Sequence, residues 1–423
     1  MTAMWKILAL NTYWIGLSFM WNSLHVIILP AVLLHLVPDT QKNTYLGLLT
    51  FVGLVIAMLV QPISGSLSDR WVSTWGRRRP LILLGTAFDF LFLAFLGWAG
   101  GIAWLALGYI GLQLSSNIAH GPAQGLLHDQ VPPEQLGRAS GFKNLMDMAG
   151  LVISSLLVGR LLSPEVRHPV GVVGLVAVVL AAGAVVTLLG VRESPSPHRP
   201  LKSRPATLLD AFRIDLSAHR SYAWLIASRF LFLAGIYGIQ TFAQYYVRDV
   251  LAVTNPIQLT GDLLAAITLA LIAFAVAGGW LGDRFGHKRM SMAASIVGAL
   301  GCFLLLWART PASLLVFGSV LGIGIGLFLT ANWALANELA PPEQAGKFLG
   351  LTNLATAGAG VIGRLEGPFI DLFNNAWPGE WRGYTGLFLV GAACILLSAL
   401  LLRPVSAGKA LIPPGDRQFA AGD

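Results

Sequence analysis

Charged residues are scarce in this sequence of 423 residues. Asp, Glu, Lys and Arg together make up 11% of it, while 55% of it is hydrophobic and the mean hydropathy is +0.69. A soluble domain carries about 25% charged residues, so this chain cannot cover a water-facing surface of its size. The composition excludes a soluble globular protein and predicts an all-α membrane protein, because membrane strands are shorter and alternate in polarity.

Several signatures of catalysis and of metal binding are missing as well. The sequence has two cysteines, Cys302 and Cys394, both in apolar runs, which we interpret as core residues rather than as a disulfide or metal framework. The eight histidines show no metal-ligand spacing, and neither a phosphate-binding Gly-x-x-x-x-Gly-Lys-Ser/Thr loop nor a Ser or Cys nucleophile motif occurs. We therefore expect no enzyme activity, no cofactor and no metal site.

What the sequence does have is long apolar runs. A transmembrane helix needs about 20 mostly apolar residues, and twelve runs meet this requirement. They cover residues 9–36, 44–67, 81–99, 102–128, 142–162, 170–191, 221–247, 262–281, 290–308, 312–337, 348–372 and 385–402. The first run is too long for the apolar part of a signal peptide and lacks a small-residue cleavage site, so we expect it to remain as the first span.

The net charge of +8 follows the topology of these runs. When the loops are numbered from a cytoplasmic N-terminus, most of the 28 Lys and Arg residues fall on the cytoplasmic side. This asymmetry predicts a multi-pass protein of the plasma (inner) membrane with both termini in the cytoplasm. It also accounts for the positive charge without a nucleic-acid partner.

A polar loop between the second and third runs returns between the eighth and ninth. The first copy reads Gly65-x-x-x-Asp69-Arg70, then Gly76-Arg77-Arg78-Arg79, and the second reads Gly279-x-x-x-Asp283-Arg284, then Gly286-His287-Lys288-Arg289. A second pair of loops, 129–138 and 338–347, recurs at nearly the same offset. Two motifs in the same order indicate an internal duplication.

The duplication predicts two pseudo-symmetric six-helix bundles around a central cavity. We expect an N-terminal bundle over 1–191, a cytoplasmic linker over 192–220, and a C-terminal bundle with a short tail over 221–423. The linker is rich in Pro, Ser and Arg, and its 208–216 part predicts a short amphipathic helix on the membrane surface.

Polar side chains form stripes that are densest in spans one, four, seven and ten. Such groups are costly in hydrocarbon, so the stripes are expected to face the bundle interior or a water-filled cavity. The predicted cavity residues are Asn22, His25, Gln113, Asn117, His120, Gln124, Tyr237, Gln240, Gln244 and Trp333. Hydrogen bonds between helices are the alternative role for the asparagines, the glutamines and Tyr237.

Titratable groups inside the spans need partners or water. Asp89, Asp147, Arg229 and Arg364 are of this kind, and the sequence assigns no pairing to them. His25 and His120 are the candidates for carrying a coupled proton, because histidine titrates near neutral pH. The alternative is that both are neutral, hydrogen-bonded cavity residues.

The span count, the repeat and the Gly-x-x-x-Asp-Arg loop together resemble the major facilitator superfamily of secondary transporters. The resemblance covers essentially the whole chain and implies alternating access of one cavity to the two sides of the membrane. It also implies an ionic gate at the cytoplasmic ends of the helices, the alternative being topology signals and helix caps. The implied gating residues are Asp69, Arg70, Arg77, Arg78, Arg79, Asp129, Arg138, Asp283, Arg284, Arg289 and Glu338.

A narrower similarity is to the sucrose and glycoside transporters of that superfamily. It rests on the extended loop that ends in 75–80 and on the span-four text from Asn117 to Asp129, which resembles Asn-x-x-Gln-Gly-Pro-x-Arg-Ala-Leu-Leu-x-Asp. Gln124 stands where that group has a sugar-contacting arginine, and Gln113 stands where it has a protonatable aspartate. The chain thus resembles the group's scaffold without its span-four charges.

These observations predict a transporter that works as a monomer in the lipid bilayer. The expected partner is a small solute, a sugar or glycoside, moved with protons. The alternatives are an exporter of amphipathic compounds, a facilitator without ion coupling, and a transporter-shaped receptor or lipid-handling protein that moves no soluble cargo.

Overall fold

The computed structural model describes residues 4–193, 219–341 and 344–406, apart from the side chains of 345 and 346. The predicted surface helix over 208–216 lies outside these residues. The α-helices are α1 (Met4–Leu33), α2 (Lys42–Arg70), α3 (Arg79–Gly97), α4 (Ile102–Gln130), α5 (Leu136–Leu161), α6 (Val170–Gly190), α7 (Arg220–Val250), α8 (Pro256–Phe285), α9 (His287–Leu305), α10 (Pro311–Leu339), α11 (Ala345–Arg364), α12 (Gly367–Ala376) and α13 (Arg382–Leu401).

Within the described ranges, eleven helices are long and apolar enough to cross a membrane. The expected all-α fold is confirmed. Several helices extend beyond the predicted runs: α8 covers Pro256–Phe285, whereas its apolar run covers 262–281. Hydropathy marks the part of a helix that lies in hydrocarbon, and the polar ends continue the helix into the interface.

The eleventh predicted run, 348–372, is not one helix. The α-helical hydrogen bonding of α11 ends at Arg364, and α12 begins at Gly367 with Pro368 in its first turn. Proline has no N–H to donate and its ring crowds the preceding turn, so a continuous helix is interrupted there. The break places Leu365 and Glu366 in a turn between the two helices of this span.

A second irregularity lies in α1, where Ser23–Ile28 forms a π-helical turn just before Pro30. The sequence predicts a kink at Pro30, because the carbonyl of Val26 loses its usual donor at that position. Gln244 of α7 supplies donors instead: in the amide orientation that satisfies its neighbours, its nitrogen lies 2.9 Å from the Val26 oxygen and 3.0 Å from the Ile27 oxygen.

The helices pack in the same pattern in the first half (4–193) and the second half (219–341 and 344–406). In the first half, α1 packs against α5 and α6, α4 against α2 and α3, and α3 against α6. In the second half, α7 packs against α11 and α13, α10 against α8 and α9, and α9 against α13. This repetition is what an internal duplication requires. The domain boundaries themselves stay a prediction.

The halves are joined where α5 packs against α8 and where α2 packs against α11 and α12. Glycines allow a close approach at the first contact, because a β-carbon on Gly159 would lie only 3.3 Å from the α-carbon of Gly261. We name the two ends of the molecule the terminal face, where α1 begins and α13 ends, and the distal face opposite to it.

Candidate functional site

A central cavity of about 780 Å³ lies between the halves. Its wall is built from α1, α2, α4, α5, α7 and α11 and combines aromatic and aliphatic side chains with a similar number of polar and charged ones. The aromatic members are Trp14, Trp21, His25, His120 and Tyr237. A volume of this size is typical of sites for drug-sized ligands.

The distal end of the cavity is closed by ionic contacts between the halves. Lys42 at the start of α2 is 2% exposed, and its Nζ lies 2.7 Å from an Asp249 carboxylate oxygen at the end of α7. Arg248 reaches across in the same way to Asp39, at 2.6 Å. The Tyr384 hydroxyl donates to Asp249 at 2.7 Å, which leaves this aspartate bonded from three helices.

Asp371 of α12 makes a second set of contacts at this face. Its carboxylate accepts from the side-chain nitrogen of Asn43 at 2.8 Å and from the backbone N–H of Thr44 at 2.7 Å. These donors lie in the first turn of α2, where free N–H groups and the helix dipole favour an anion. The second half thus caps a helix of the first. We name Asp39, Lys42, Asn43, Arg248, Asp249, Asp371 and Tyr384 the distal lock.

Sequence reasoning missed the distal lock. Lys42, Arg248 and Asp249 lie at span ends on the sparsely charged side, which was the available signal. Their pairing across more than 200 residues could not be read from it. The cavity wall reaches Lys143 of α5 and Gly350 of α11, about two turns from the terminal ends of those helices. Since the described cross-half hydrogen bonds and ion pairs gather towards the distal face, the cavity opens at the terminal face.

His25 is held inside the cavity by an aromatic and polar cluster. Its Nε2 lies 2.7 Å from the Tyr109 hydroxyl and 3.3 Å from the Gln113 amide nitrogen. Trp21 stacks on its ring with centroids 5.1 Å apart. These contacts fix the orientation of the His25 ring, and the stacked Trp21–His25 pair forms part of the cavity wall.

A charged pair lies nearer the cavity mouth. Lys143 and Asp147, one turn apart on α5, are joined at 2.8 Å, and Ser18 donates to Asp147 at 3.1 Å. The Lys143 ammonium also lies 3.8 Å from the centre of the Trp14 ring, within reach of a cation–π interaction. His120 meets the same ring edge-on.

The other titratable groups inside the spans have different surroundings. Asp89 is fully buried between α3 and α4 and accepts from the Ser115 hydroxyl at 2.5 Å. Arg229 donates to Thr356 at 2.9 Å and to Asn332 at 3.0 Å. Arg364 lines the cavity and donates to the Gly360 carbonyl at 2.7 Å, while its Nε has no partner among the described residues.

The predicted cavity residues divide into two groups. The wall includes Asn22, His25, His120, Tyr237 and Gln240. Outside it lie Gln113, Asn117, Gln124, Gln244 and Trp333. Gln113 and Asn117 are buried: Asn117 donates to the Gln113 carbonyl, and Gln113 donates to the Tyr109 hydroxyl. Trp333 lies under the Arg229 guanidinium. These five side chains therefore bond to other parts of the protein or lie at its surface, and they do not line the cavity.

The gating residues of the first loop are connected within their own half. Arg78 pairs with Asp69 at 2.5 Å and with Asp129 at 2.9 Å, and Arg77 pairs with Asp129 at 2.6 Å. The hydrogen bond to Asp129 raises the pKa of the Arg77 guanidinium. Glu193, beyond α6, accepts from the backbone N–H groups of Arg78 and Arg79 at the start of α3.

The second loop differs in its chemistry. His287 bonds to Glu338 and lies 3.3 Å from Asp283, so it takes the place that Arg78 holds in the first loop. Arg284 lies over the Trp280 and Phe285 rings. Gly76 and Gly286, the glycines shared by both copies, have φ of 93° and 90°, a conformation that favours glycine.

The remaining predicted gating residues lie on the terminal side. Arg70 and Arg289 are exposed, Arg79 donates to the Leu188 carbonyl at 2.5 Å, and Arg138 lies 3.5 Å from the Met4 sulfur. In this conformation the two loops therefore hold their own halves together, and their predicted bridging of the halves stays untested.

Comparison with known proteins gives concordant results. A sequence profile described as Major Facilitator Superfamily matches residues 8–363 and 254–421. The multi-drug resistance efflux pump PmrA of Streptococcus pneumoniae is 25% identical over 374 residues, which cover 86% of each chain. The multidrug resistance protein MdtG of Serratia proteamaculans is 26% identical over 361 residues, 85% of this chain and 83% of that protein.

Solved structures share the fold. The nucleoside transporter NupG superposes with a TM-score of 0.73 at 15% identity, covering 96% of this chain and 100% of that one. A bacterial homologue of the iron transporter ferroportin in the inward-facing state gives 0.69 at 18% identity, covering 95% and 98%.

Proposed function

The chain belongs to the major facilitator superfamily of secondary membrane transporters, and from this premise we propose that it exports amphipathic compounds by alternating access. The observation that carries the proposal is the wall of the cavity. Apolar atoms supply most of its surface, and half of the predicted cavity residues lie outside it. Relatives over most of its length are named multidrug efflux proteins, which supports the same substrate class.

Export requires loading from the compartment that holds the termini. The terminal face is open, and the positive loops favour placing it in the cytoplasm of an inner-membrane protein. In the opposite state the terminal face must close. The ionic loops around Asp69 and Asp283 are the groups we propose to bridge the halves then, as exposed ion pairs of modest strength suit a contact that forms and breaks.

Sugar or glycoside carriage is the second candidate, and one observation favours it. His120, which belongs to the span-four text that resembles the sucrose group, lines the cavity, as do the amide side chains of Asn22 and Gln240. Both proposed functions include coupling to protons, with His25 and His120 as the residues that carry the proton. The lack of a span-four carboxylate leaves uncoupled facilitation as the alternative.

The test is transport by the purified monomer in proteoliposomes. Ethidium, 8-anilinonaphthalene-1-sulfonate and labelled sucrose are offered in parallel, with and without an imposed proton gradient, and protein-free liposomes give the leak rate. We expect saturable movement of at least one dye and none of sucrose. Movement of sucrose with neither dye would replace the first proposal by the second.

The comparison of transport with and without the proton gradient separates coupled from passive transport. Accumulation only under the gradient identifies coupling, and His25→Gln and His120→Gln then show which histidine carries the proton. Equal, non-concentrating movement in both conditions identifies a facilitator.

A further inference from the structure

We propose that the cavity binds organic carboxylates, with Arg364 as the residue that pairs with the anionic group. The inference rests on the proposed export function and names the substrate class of the same cavity. It would make the carrier selective for amphipathic anions.

The first observation is the position of Arg364. It is the last residue of α11, just before the helix break, and it lines the cavity. The backbone there is held against α2, because a β-carbon on Gly47 would collide with the Arg364 carbonyl, so the two helices meet without side chains between them. The guanidinium is therefore built into the wall.

The second observation is that this guanidinium is largely unsatisfied. One hydrogen bond, from Nη1 to the Gly360 carbonyl, is made, and Nε is buried without a partner. Among the described residues no carboxylate lies within 4.0 Å of it. Arg229 provides the contrast, since Asn332 and Thr356 accept from it and it lies outside the wall.

The third observation is the charge balance of the wall. Asp147 is the one acidic side chain among the described lining residues, and it is paired with Lys143. The positive charge of Arg364 therefore has no counter-charge in the cavity. An isolated charge is costly at this depth in a membrane protein, and a ligand anion would relieve that cost.

The shape of the Arg364 guanidinium group selects the type of anion. A guanidinium presents parallel N–H groups that match the two oxygens of a carboxylate. The Tyr237 ring and Leu54 converge with Arg364 at Gly360, and the Trp21–His25 stack lies further along the wall. The expected ligand thus has one carboxylate and an aryl or alkyl body.

The experiment compares two ligands of one shape, 4-phenylbutyrate and 4-phenylbutyramide, by calorimetric titration of the full chain in detergent near neutral pH. A charge-assisted pair contributes about 1.5–3 kcal/mol, so the carboxylate should bind about ten- to a hundredfold more tightly than the amide. Arg364→Gln should remove the preference, because its side chain carries no charge. Arg364→Lys should retain part of it.

The control is Arg309→Gln, because Arg309 is exposed and bonds to backbone carbonyls outside the cavity. It should behave like the wild type. Equal binding of the two ligands by the wild type overturns the proposal even if an Arg364 variant fails to fold, and so does a preference that persists in a folded Arg364→Gln protein.

Failure of the anion proposal is distinguishable from failure of the transport proposal. If ethidium moves in the liposome assay and phenylbutyrate shows no preference, export stands and the carboxylate site does not. If no amphipathic dye moves, export itself is wrong.

Discussion

Asp89 shows how an acidic side chain is kept in the apolar interior of the first half. One of its oxygens accepts from Ser115, and the other has no partner among the described residues. Ser116, the next residue, is buried with an unbonded hydroxyl. Of the two neighbouring serines, only Ser115 donates a hydrogen bond to the Asp89 carboxyl group.

We expect Ser115→Ala to lower the free energy of unfolding by about 1–3 kcal/mol, because it leaves a buried carboxyl group without its donor. The measurement is the thermal unfolding midpoint in detergent. Ser116→Ala is the matched control and should leave the midpoint unchanged or raise it slightly. Equal losses in the two variants would mean that packing, not the Asp89 hydrogen bond, sets the cost.

The residue scale also shows what a stripe in the sequence can predict. Helical spacing identifies the polar face of α4 but not the neighbour that the face meets. His120 reaches the cavity, whereas Gln113 and Asn117 bond within the first half. Arg364 was recognised as a residue in need of a partner, and its place on the wall required the packing of α2 against α11.

At the scale of elements, Glu193 ties the end of α6 to the start of α3. Its carboxylate accepts from the N–H groups of Arg78 and Arg79, the position where a helix favours an anion. Burial raises the pKa of Glu193, and the two N–H donors oppose that rise. The raised pKa means that the folded state binds this proton more tightly than the unfolded chain does.

Glu193 contributes stability below its unfolded pKa, and this contribution is lost as the pH rises through the folded pKa. We expect the unfolding midpoint of the wild type to rise relative to that of Glu193→Gln as the pH falls from neutral towards about 4.5. A difference that stays constant over this range, or changes in the opposite direction, would contradict it.

The helices were largely predictable, because a long apolar run that spans a bilayer must satisfy its backbone hydrogen bonds within itself and therefore forms a helix. The break between α11 and α12 was not predicted, although Pro368 marks it in the sequence. Apolar composition continues through the break, and hydropathy does not register a lost backbone hydrogen bond. The pairing of α5 with α8 likewise depends on Gly159 and Gly261 meeting across the halves, which neither half specifies alone.

At the scale of the whole molecule, the distal lock holds the halves together at one end. Lys42 and Asp249 are both nearly buried, with side chains 3% and 4% exposed. Removing one partner of a buried pair costs about 3–5 kcal/mol when the remaining charge is uncompensated. Without Lys42 the Asp249 carboxylate keeps Arg248 at 3.3 Å, so we expect a smaller cost. That cost falls on the distally closed state alone if the groups are hydrated when the face opens.

We therefore expect Lys42→Met to shift the population towards a distally open state. A cysteine at Gln240 on the cavity wall, in a chain with Cys302 and Cys394 changed to Ala, should react faster with a membrane-impermeant maleimide applied from the distal side. The double variant Lys42→Met with Asp249→Leu should restore slow labelling, because no buried charge is left unpaired.

The control for this prediction is Arg382→Gln. Its ion pair with Glu380 lies at the same face but is half exposed and within the second half, so the labelling rate should not change. Faster labelling in this control as well would show that the surface charge of the distal face, and not the lock, governs the rate.

The composition of the distal lock has a consequence for temperature. Opening that face transfers several ionised groups from protein contacts into water, a step that releases heat and orders solvent. The hydration of charges becomes less favourable as temperature rises, so warming strengthens the lock's contribution and cooling weakens it. Samples frozen for imaging and samples assayed warm would then differ in how often the cavity faces each side of the membrane.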